Sequence, residues 1–227
     1  MAAGPPEPRG LLVRVLDPEV EPPDDAVSTR ILDGALDVSA ASGMRHLTID
    51  GVARRAGVGR MTVYRRFGDR SGLVEALVIR ECRRCLAALD GAIGPGAPIA
   101  EQITEGFVTS LRLAREHPLL NRLARLEPET MVGGLTHGGG AVFAAARAFV
   151  ADRLRASQRT GVVGELDVEA AAELLVRLAF SFVLIQESAL ALEDETAIRA
   201  TARGLIAPAL ARAGQRPQGA AGATWGK

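Results

Sequence analysis

The stretch LTIDGVARRAGVGRMTVYRRFGDRSGL, residues 47–73, constrains the fold of this chain more than any other segment. Its apolar residues recur at helical spacing on both sides of Gly57, and Val63 and Phe67 lie four residues apart as the expected buried anchors of a short second helix. A glycine between two short helices permits the positive φ that a tight turn requires. The pattern therefore predicts a helix-turn-helix.

Arginine is concentrated in the same segment. Six arginines occur within seventeen residues: Arg54, Arg55, Arg60, Arg65, Arg66 and Arg70. From residue 45 to residue 84 there are ten arginines against four acidic residues, a surplus of 10 − 4 = 6, although the whole chain balances 27 basic against 27 acidic residues. Such a local surplus is typical of a nucleic-acid-binding module carried on a neutral body. The alternative is a solvated arginine-rich face on an ordinary helical bundle.

The residue types in this segment suit contact with DNA. Arginine can bridge guanine O6 and N7, and threonine offers both a hydroxyl and a methyl group. Tyr64 has an apolar body to pack and a hydroxyl that can reach a phosphate. Thr48 stands where an N-cap belongs, and Arg70 stands at the start of the next helix, where the helix dipole attracts anions.

Helical periodicity extends over most of the remaining chain. Beyond the helix-turn-helix, we expect helices at about 26–42, 70–89, 99–116, 118–126, 139–159, 167–189 and 194–213. No segment of useful length alternates with period two, so the sequence predicts an all-α fold without a sheet. With 48% hydrophobic and 24% charged residues, the chain can build a packed core.

The helices suggest a division into four parts. Residues 1–25 are rich in proline and acidic side chains and are expected to form a disordered N-terminal arm, and residues 214–227 a disordered tail. Residues 26–70 are expected to form the DNA-binding domain, and residues 71–213 a ligand-binding and dimerisation domain. No basic-then-apolar leader and no apolar run of membrane-spanning length is visible, so we expect a cytoplasmic protein.

The segment ILDGALDVSAASG followed by residues 47–73 resembles the N-terminal domain of the TetR family of transcriptional regulators. The resemblance extends over roughly residues 28–77. It implies a homodimeric repressor with a three-helix DNA-binding domain and an all-helical C-terminal domain that binds a small-molecule effector. It implies double-stranded DNA with a pseudo-palindromic operator as a partner, no cofactor and no enzymatic activity.

The resemblance also assigns roles to individual residues. Thr48 is implied to cap the second helix and touch phosphate, Tyr64 to contact the DNA backbone, and Arg70 to replace the usual phosphate-binding lysine. The residues implied to lie on the recognition helix are Arg60, Met61, Thr62 and Arg65. Four positions depart from the family pattern. Gly59 stands where Ser or Thr normally caps the recognition helix, Ser39 replaces an aromatic residue, and Gly51 and Gly72 each cost about 1 kcal/mol of helix preference against alanine.

Residues 174–185 are apolar on all sides except at Arg177 and Ser181. A helix of this kind must be covered on both faces. Core packing on one side and a second subunit on the other would explain it, so we expect this helix and the last one to form the dimer interface. Complete burial inside a monomer is the alternative.

The effector site has only weak signals in the sequence. Its candidate lining residues are Phe107, Leu111, His117, Met131, Leu135, His137 and Phe143. Apolar residues at helical spacing are commonly plain core, and a histidine before proline, such as His117, commonly marks a helix boundary. Because aromatic residues make up only 4% of the chain, an aliphatic or small polar effector is favoured over large planar compounds.

Three other functions need to be weighed. The CRRC motif at 82–85 could hold a metal or respond to redox state, but a helical CxxC without a second ligand pair is weak evidence. The HGGG motif at 137–140 matches the oxyanion-hole motif of esterases, which would make the chain a helical hydrolase, yet no G-x-S-x-G nucleophile accompanies it. The third alternative to a repressor is a transcriptional activator or a regulator that responds to no effector, either of which would use the same DNA-binding chemistry.

Overall fold

The computed structural model describes residues 25–94, 96–136, 140–161, 166–185 and 187–209, which are helical almost throughout. No β-strand occurs within these ranges, so the predicted all-α fold is confirmed. The helices are α1 (Ala26–Ser42), α2 (Ile49–Ala56), α3 (Arg60–Phe67), α4 (Arg70–Ala92), α5 (Ile99–Glu116), α6 (Pro118–Leu126), α7 (Pro128–Thr136), α8 (Ala141–Arg159), α9 (Val168–Leu184) and α10 (Glu195–Thr201). A 3₁₀ turn (Met44–His46) follows α1, and a π-helical turn (Ala202–Ile206) continues α10.

The predicted bounds of α1, α5 and α6 are confirmed, whereas one predicted helix end is wrong and one helix was missed. The helix expected to reach residue 189 ends at Leu184, and beyond it the Ser188 hydroxyl accepts a hydrogen bond from Leu190 N, a local bond that competes with helix. Helix α7 was not predicted at all. Its first residue is Pro128, because the fixed φ of proline suits a first helical turn even though proline disfavours a helix interior.

The chain forms two compact units. Unit 1 contains the described residues up to Ala88 together with Arg112–Ala145, and unit 2 contains Leu89–Leu111 and the described residues from Ala146 onward. None of the described helices is long and apolar enough to cross a membrane.

The core of unit 1 joins α1, α2, α3 and the start of α4. Leu119 of α6 also belongs to this core and is only 4% exposed. Its buried side chains are Ile31, Leu32, Ala35, Leu47, Ile49, Val52, Ala53, Val63, Phe67, Leu73, Ala76, Leu77 and Leu119. The DNA-binding segment therefore shares one hydrophobic core with a helix that lies about fifty residues further along the chain.

Helix α6 is fastened to the end of α1 by Arg122. Its Nη1 donates to Ala41 O at 3.0 Å and Ala40 O at 3.4 Å, and its Nε donates to Glu127 Oε1 at 3.1 Å. These carbonyls are among the last of α1, where the helix has no partners of its own for them. Gly43 makes room for this contact, since its φ of 96° suits glycine and a Cβ atom there would collide with the Glu127 carboxylate.

Glu81 of α4 is a buried charged centre in unit 1, with 5% exposure. It accepts from Arg80 Nε at 2.7 Å and Arg84 Nη1 at 3.4 Å, and its Oε2 lies 3.0 Å from His117 Nε2. Arg80 also pairs with Asp33 of α1 at 2.8 Å. Burial acts to raise the pKa of Glu81, but the hydrogen bonds from His117 and Arg80 and the charges of Arg80 and Arg84 outweigh it, so this pKa lies below its ordinary value.

Unit 2 is built around α8 and α9. Its core contains Ala151, Leu154, Ala171 and Ala172, with Leu175 packed against them. Polar groups are also paired inside this unit. The Ser157 hydroxyl donates to Gln102 Oε1 at 3.1 Å in a buried position, and Arg199 forms an ion pair with Glu105.

Candidate nucleic-acid interface

Helix α2 begins and ends as the sequence predicts. The Thr48 hydroxyl accepts a hydrogen bond from Gly51 N at 3.1 Å, so Thr48 is the N-cap. The helix ends at Gly57, whose φ of 65° and ψ of 37° place it in the left-handed region that glycine adopts without strain. Helix α2 is therefore bounded by a side-chain cap at its start and by a left-handed glycine at its end, where the turn to α3 begins.

Helix α3 is anchored from its inner side. Val63 is fully buried and Phe67 is 8% exposed, as the sequence predicts, and both belong to the core of unit 1. Its N-cap, Gly59, provides no side-chain hydrogen bond, so the weak cap expected from the sequence is confirmed. Core packing, more than capping, must therefore hold α3 in place.

The outer side of α3 carries Arg60, Met61 and Arg65, all exposed, with Thr62 and Tyr64 half-buried beside them. Arg60 is held along the helix surface: its Nη2 donates to Tyr64 Oη at 3.3 Å, and its guanidinium carbon lies 5.3 Å from the centre of the Tyr64 ring. Its Nε also lies 3.5 Å from Asp50 Oδ1. The bond to Tyr64 and the charge of Asp50 raise the pKa of Arg60 above its ordinary value.

Besides Arg60, three more of the six clustered arginines are bound within unit 1. Arg55 pairs with Asp37 at 2.6 Å, and Arg66 pairs with Asp25 and also donates to the Ser28 hydroxyl. Arg70 donates through Nε to Leu47 O at 2.7 Å and through Nη2 to Met44 O at 2.8 Å. The structure thus gives Arg70 an internal role at the 3₁₀ turn, and its role as a phosphate contact stays a prediction.

The other two arginines of the cluster, Arg54 and Arg65, remain available to a ligand. Within the part of the chain that the structure describes, Arg54 and Arg65 have no ion-pair partner, and both side chains are exposed. Arg65 was among the sequence candidates, whereas Arg54 was not. Its helical position was the available signal, because Arg54 lies in the last turn of α2, opposite the buried Val52 and Ala53.

Two family models match this chain. The model of bacterial regulatory proteins of the tetR family matches residues 31–77, which contain α2, α3 and most of α1. The model of the bacterial Tetracyclin repressor C-terminal domain matches residues 99–204. The chain belongs to the TetR family. It is a DNA-binding transcriptional regulator with a helix-turn-helix and a C-terminal domain of the Tetracyclin repressor type.

Individual relatives agree with this family assignment. The chain is 31% identical over 96 residues to an uncharacterized HTH-type transcriptional regulator of Mycobacterium tuberculosis, an alignment that covers 42% of this chain and 48% of that protein. The chain thus spans about half the length of this relative.

Solved structures of TetR regulators share the fold at lower identity. The TetR family repressor AlkX of a Dietzia species, implicated in biodegradation of n-alkanes, has a TM-score of 0.56 at 22% identity, covering 83% of this chain and 97% of that one. FadR of Bacillus subtilis in complex with stearoyl-CoA has a TM-score of 0.58 at 19% identity, covering 81% and 97%.

His117, a candidate effector ligand, has structural partners in this TetR chain. Its Nδ1 accepts from Leu120 N at 3.4 Å, which makes His117 the N-cap of α6. Because Nδ1 is an acceptor, Nε2 carries the proton that it donates to Glu81. The helix-boundary interpretation of His117 is confirmed, and its role toward an effector stays a prediction.

The apolar candidates are divided between the two units. Phe107 and Leu111 of α5 are buried in unit 2, where the Phe107 ring meets that of Phe182 edge to face with centroids 5.2 Å apart. Met131 is buried in unit 1, and Phe143 is half-buried there. The side chain of Leu135 and the whole of His137, with most of the HGGG motif, lie outside the described residues.

The two cysteines of the CRRC motif lie within α4 and form no disulfide. Burial raises the pKa of Cys82 to about 12 and that of Cys85 to about 11, so both are protonated thiols at neutral pH and poor nucleophiles. Within the described residues, no group of three or more His, Cys, Asp or Glu side chains is placed to hold a metal ion.

Proposed function

We propose that this TetR regulator is a homodimeric repressor that a small-molecule effector releases from a pseudo-palindromic operator. The observation that carries the proposal is the outer surface of α3. There Arg60, Met61 and Arg65 are exposed above the buried anchors Val63 and Phe67. A rigid helix that presents cationic side chains in this way suits the major groove, with base edges and phosphates both within reach.

Apolar side chains on the surface of unit 2 support the homodimer. Leu174 of α9 is 48% exposed, Ile185 just after it is 63% exposed, and Leu205 of the π-helical turn is 58% exposed. These exposures disagree with complete burial of residues 174–185 within one chain. A second copy that packs on this surface would remove it from water, and the resulting dimer would carry two α3 helices, one for each half-site. Half-sites would then lie roughly 34–36 Å apart, or a multiple of that distance.

An apolar effector is the class that the chain favours. The buried side chains of α5 include the apolar Phe107, Val108 and Leu111, next to the polar Gln102, Thr104 and Thr109. Two proteins of similar fold support this class of effector. FadR of Bacillus subtilis was solved in complex with stearoyl-CoA, and AlkX of the Dietzia species is implicated in biodegradation of n-alkanes. Such an effector acts only through unequal affinity for the DNA-binding and released states of the dimer.

The test begins with selection of bound DNA from a fragment library of the source genome that includes the flanks of the chain's own gene. Fluorescence anisotropy then gives the affinity of the selected fragment against random DNA, for the wild type and for Arg60→Ala and Tyr64→Ala. We expect tight, salt-dependent binding to a fragment with two related half-sites, and clear weakening in both variants. Binding no tighter than to random DNA would refute the proposal.

The same fragment provides the effector assay. Long-chain acyl-CoA, free fatty acid and n-alkane are added to the complex, and release is expected with at least one of them. In vitro transcription from the fragment separates a repressor, which lowers transcript yield, from an activator, which raises it. If the protein binds the fragment specifically and none of these compounds weakens the binding, a regulator that does not respond to apolar effectors would be favoured.

A further inference from the structure

Met61 is the most exposed large hydrophobic residue in the described part of the chain, at 75%. It is the second residue of α3, and it stands directly beside Arg60. The N-terminal residues of a recognition helix are those that meet base edges in the major groove. The apolar side chain is therefore placed where bases, rather than phosphates, are read.

The register of α3 separates Met61 from the stripe formed by Arg60 and Tyr64. Residues four apart share a helix face, so Arg60 and Tyr64 form one stripe and Met61 and Arg65 the next. The first stripe is tied together by the hydrogen bond and ring contact of Arg60 with Tyr64. Met61, with three rotatable bonds in an unbranched chain, can adjust to a surface presented to it.

The chemistry of a thioether narrows what Met61 can recognise. Its sulfur donates no hydrogen bond and accepts only weakly, so it gains little from the amino, carbonyl and ring-nitrogen groups of the bases. The major groove presents one apolar group, the C5-methyl of thymine. We propose that Met61 is a specificity-determining residue that reads a thymine methyl in each operator half-site. This inference rests on the proposed function, because it requires α3 to enter the major groove of a specific operator.

The test replaces each thymine of the selected operator, one at a time, by deoxyuridine, which lacks only the C5-methyl. Affinities are measured by anisotropy for the wild type and for Met61→Ala. We expect a thymine at one position of each half-site whose replacement weakens wild-type binding about four-fold for each methyl group removed, since burial of a CH₂-sized group is worth about that factor. The same replacement should leave the affinity of Met61→Ala unchanged.

Two controls keep the result specific to Met61. The exposed position implies that Met61→Ala folds normally, which circular dichroism checks, and its salt dependence should equal that of the wild type because a thioether releases no counterion. Arg65→Ala should behave in the opposite way, with a shallower salt dependence and an undiminished deoxyuridine effect.

The outcomes distinguish this inference from the proposed function. Specific binding in which every deoxyuridine replacement affects the wild type and Met61→Ala equally would overturn the role of Met61 alone. Failure to bind any fragment better than random DNA would refute the proposed function and the role of Met61 with it.

Discussion

Replacing Glu81 by alanine should destabilise unit 1 more than the loss of one surface ion pair would. The Glu81 side chain is 7% exposed and satisfies two side chains that are themselves nearly buried, Arg80 at 11% and His117 at 12%. In Glu81→Ala, His117 Nε2 loses its acceptor and Arg80 loses its closest anion. Loss of one partner from a buried pair costs about 3–5 kcal/mol. Arg80 keeps Asp33 at 2.8 Å, so we expect the lower end of this range, about 3 kcal/mol.

Urea denaturation followed by circular dichroism provides the measurement. A loss of about 3 kcal/mol in a chain of this size corresponds to a melting temperature lower by about 6–12 °C. Arg84→Ala is the matched control, because Arg84 is 52% exposed and 3.4 Å from Glu81, and its loss should cost less than about 1 kcal/mol. A Glu81→Ala protein within about 1 kcal/mol of the wild type would refute the assignment of Glu81 as a buried charged centre.

The pH dependence of this variant gives a second check on the same reasoning. The folded-state pKa of Glu81 is lowered, so its stabilising effect is fully present above the pKa of the unfolded chain and is lost as the pH falls through the folded value. The stability difference between wild type and Glu81→Ala should therefore be constant near neutral pH and shrink in acid. A difference that grew on acidification would contradict this sign.

The remaining predictions concern unit 1. Ser39→Ala should raise the free energy of unfolding by about 1 kcal/mol, because the buried Ser39 hydroxyl has no hydrogen-bond partner among the described residues; a lower free energy in urea denaturation would contradict this. Gly72→Ala should lower it by about 1–3 kcal/mol despite better helix propensity, because the added Cβ would collide with Phe67 O; a neutral effect would contradict this. Hydrogen bonds from Ser28 and Val27 and the charge of Arg66 lower the Asp25 pKa from 3.8 to about 2. The difference in the free energy of unfolding between wild type and Asp25→Asn should therefore be constant above about pH 4 and decrease as the pH falls toward 2, which urea denaturation at a series of acid pH values measures. An undiminished difference at about pH 2 would contradict the lowered pKa of Asp25.

The sequence predicts those features that depend on neighbouring residues. The cap at Thr48, the left-handed turn at Gly57 and the buried anchors Val63 and Phe67 all follow from local pattern and glycine chemistry. The bounds of α1 follow from helical periodicity and from Gly43 at its end, whereas its cap, Asp25, was not predicted, because residue 25 was assigned to the N-terminal arm. The other features can be predicted because turn geometry and helical periodicity each depend only on residues close to the feature in sequence.

The sequence could not predict which of the clustered arginines bind within unit 1, because their partners are distant in sequence. Arg66 pairs with Asp25 and Arg55 with Asp37, and Arg70 binds backbone carbonyls of the 3₁₀ turn. Spacing alone does not distinguish the arginines that bind within unit 1 from those that are available to a ligand. The packing of Leu119 of α6 into the core of unit 1 could not be predicted either, because Leu119 is distant in sequence from the residues that it contacts.

The central claim is that the outer surface of α3 binds DNA, and one comparison tests it most directly. The affinity for the selected operator is measured over a range of salt for the wild type, Arg65→Ala and Arg55→Ala. Arg65 has no ion-pair partner among the described residues, whereas Arg55 is bound to Asp37 at 2.6 Å. We expect Arg65→Ala to flatten the slope of log K against log salt by about 0.9 for each phosphate that Arg65 neutralises in the wild-type complex, and Arg55→Ala to leave the slope nearly unchanged. Equal slopes in all three proteins, or a larger effect of Arg55→Ala, would contradict the claim.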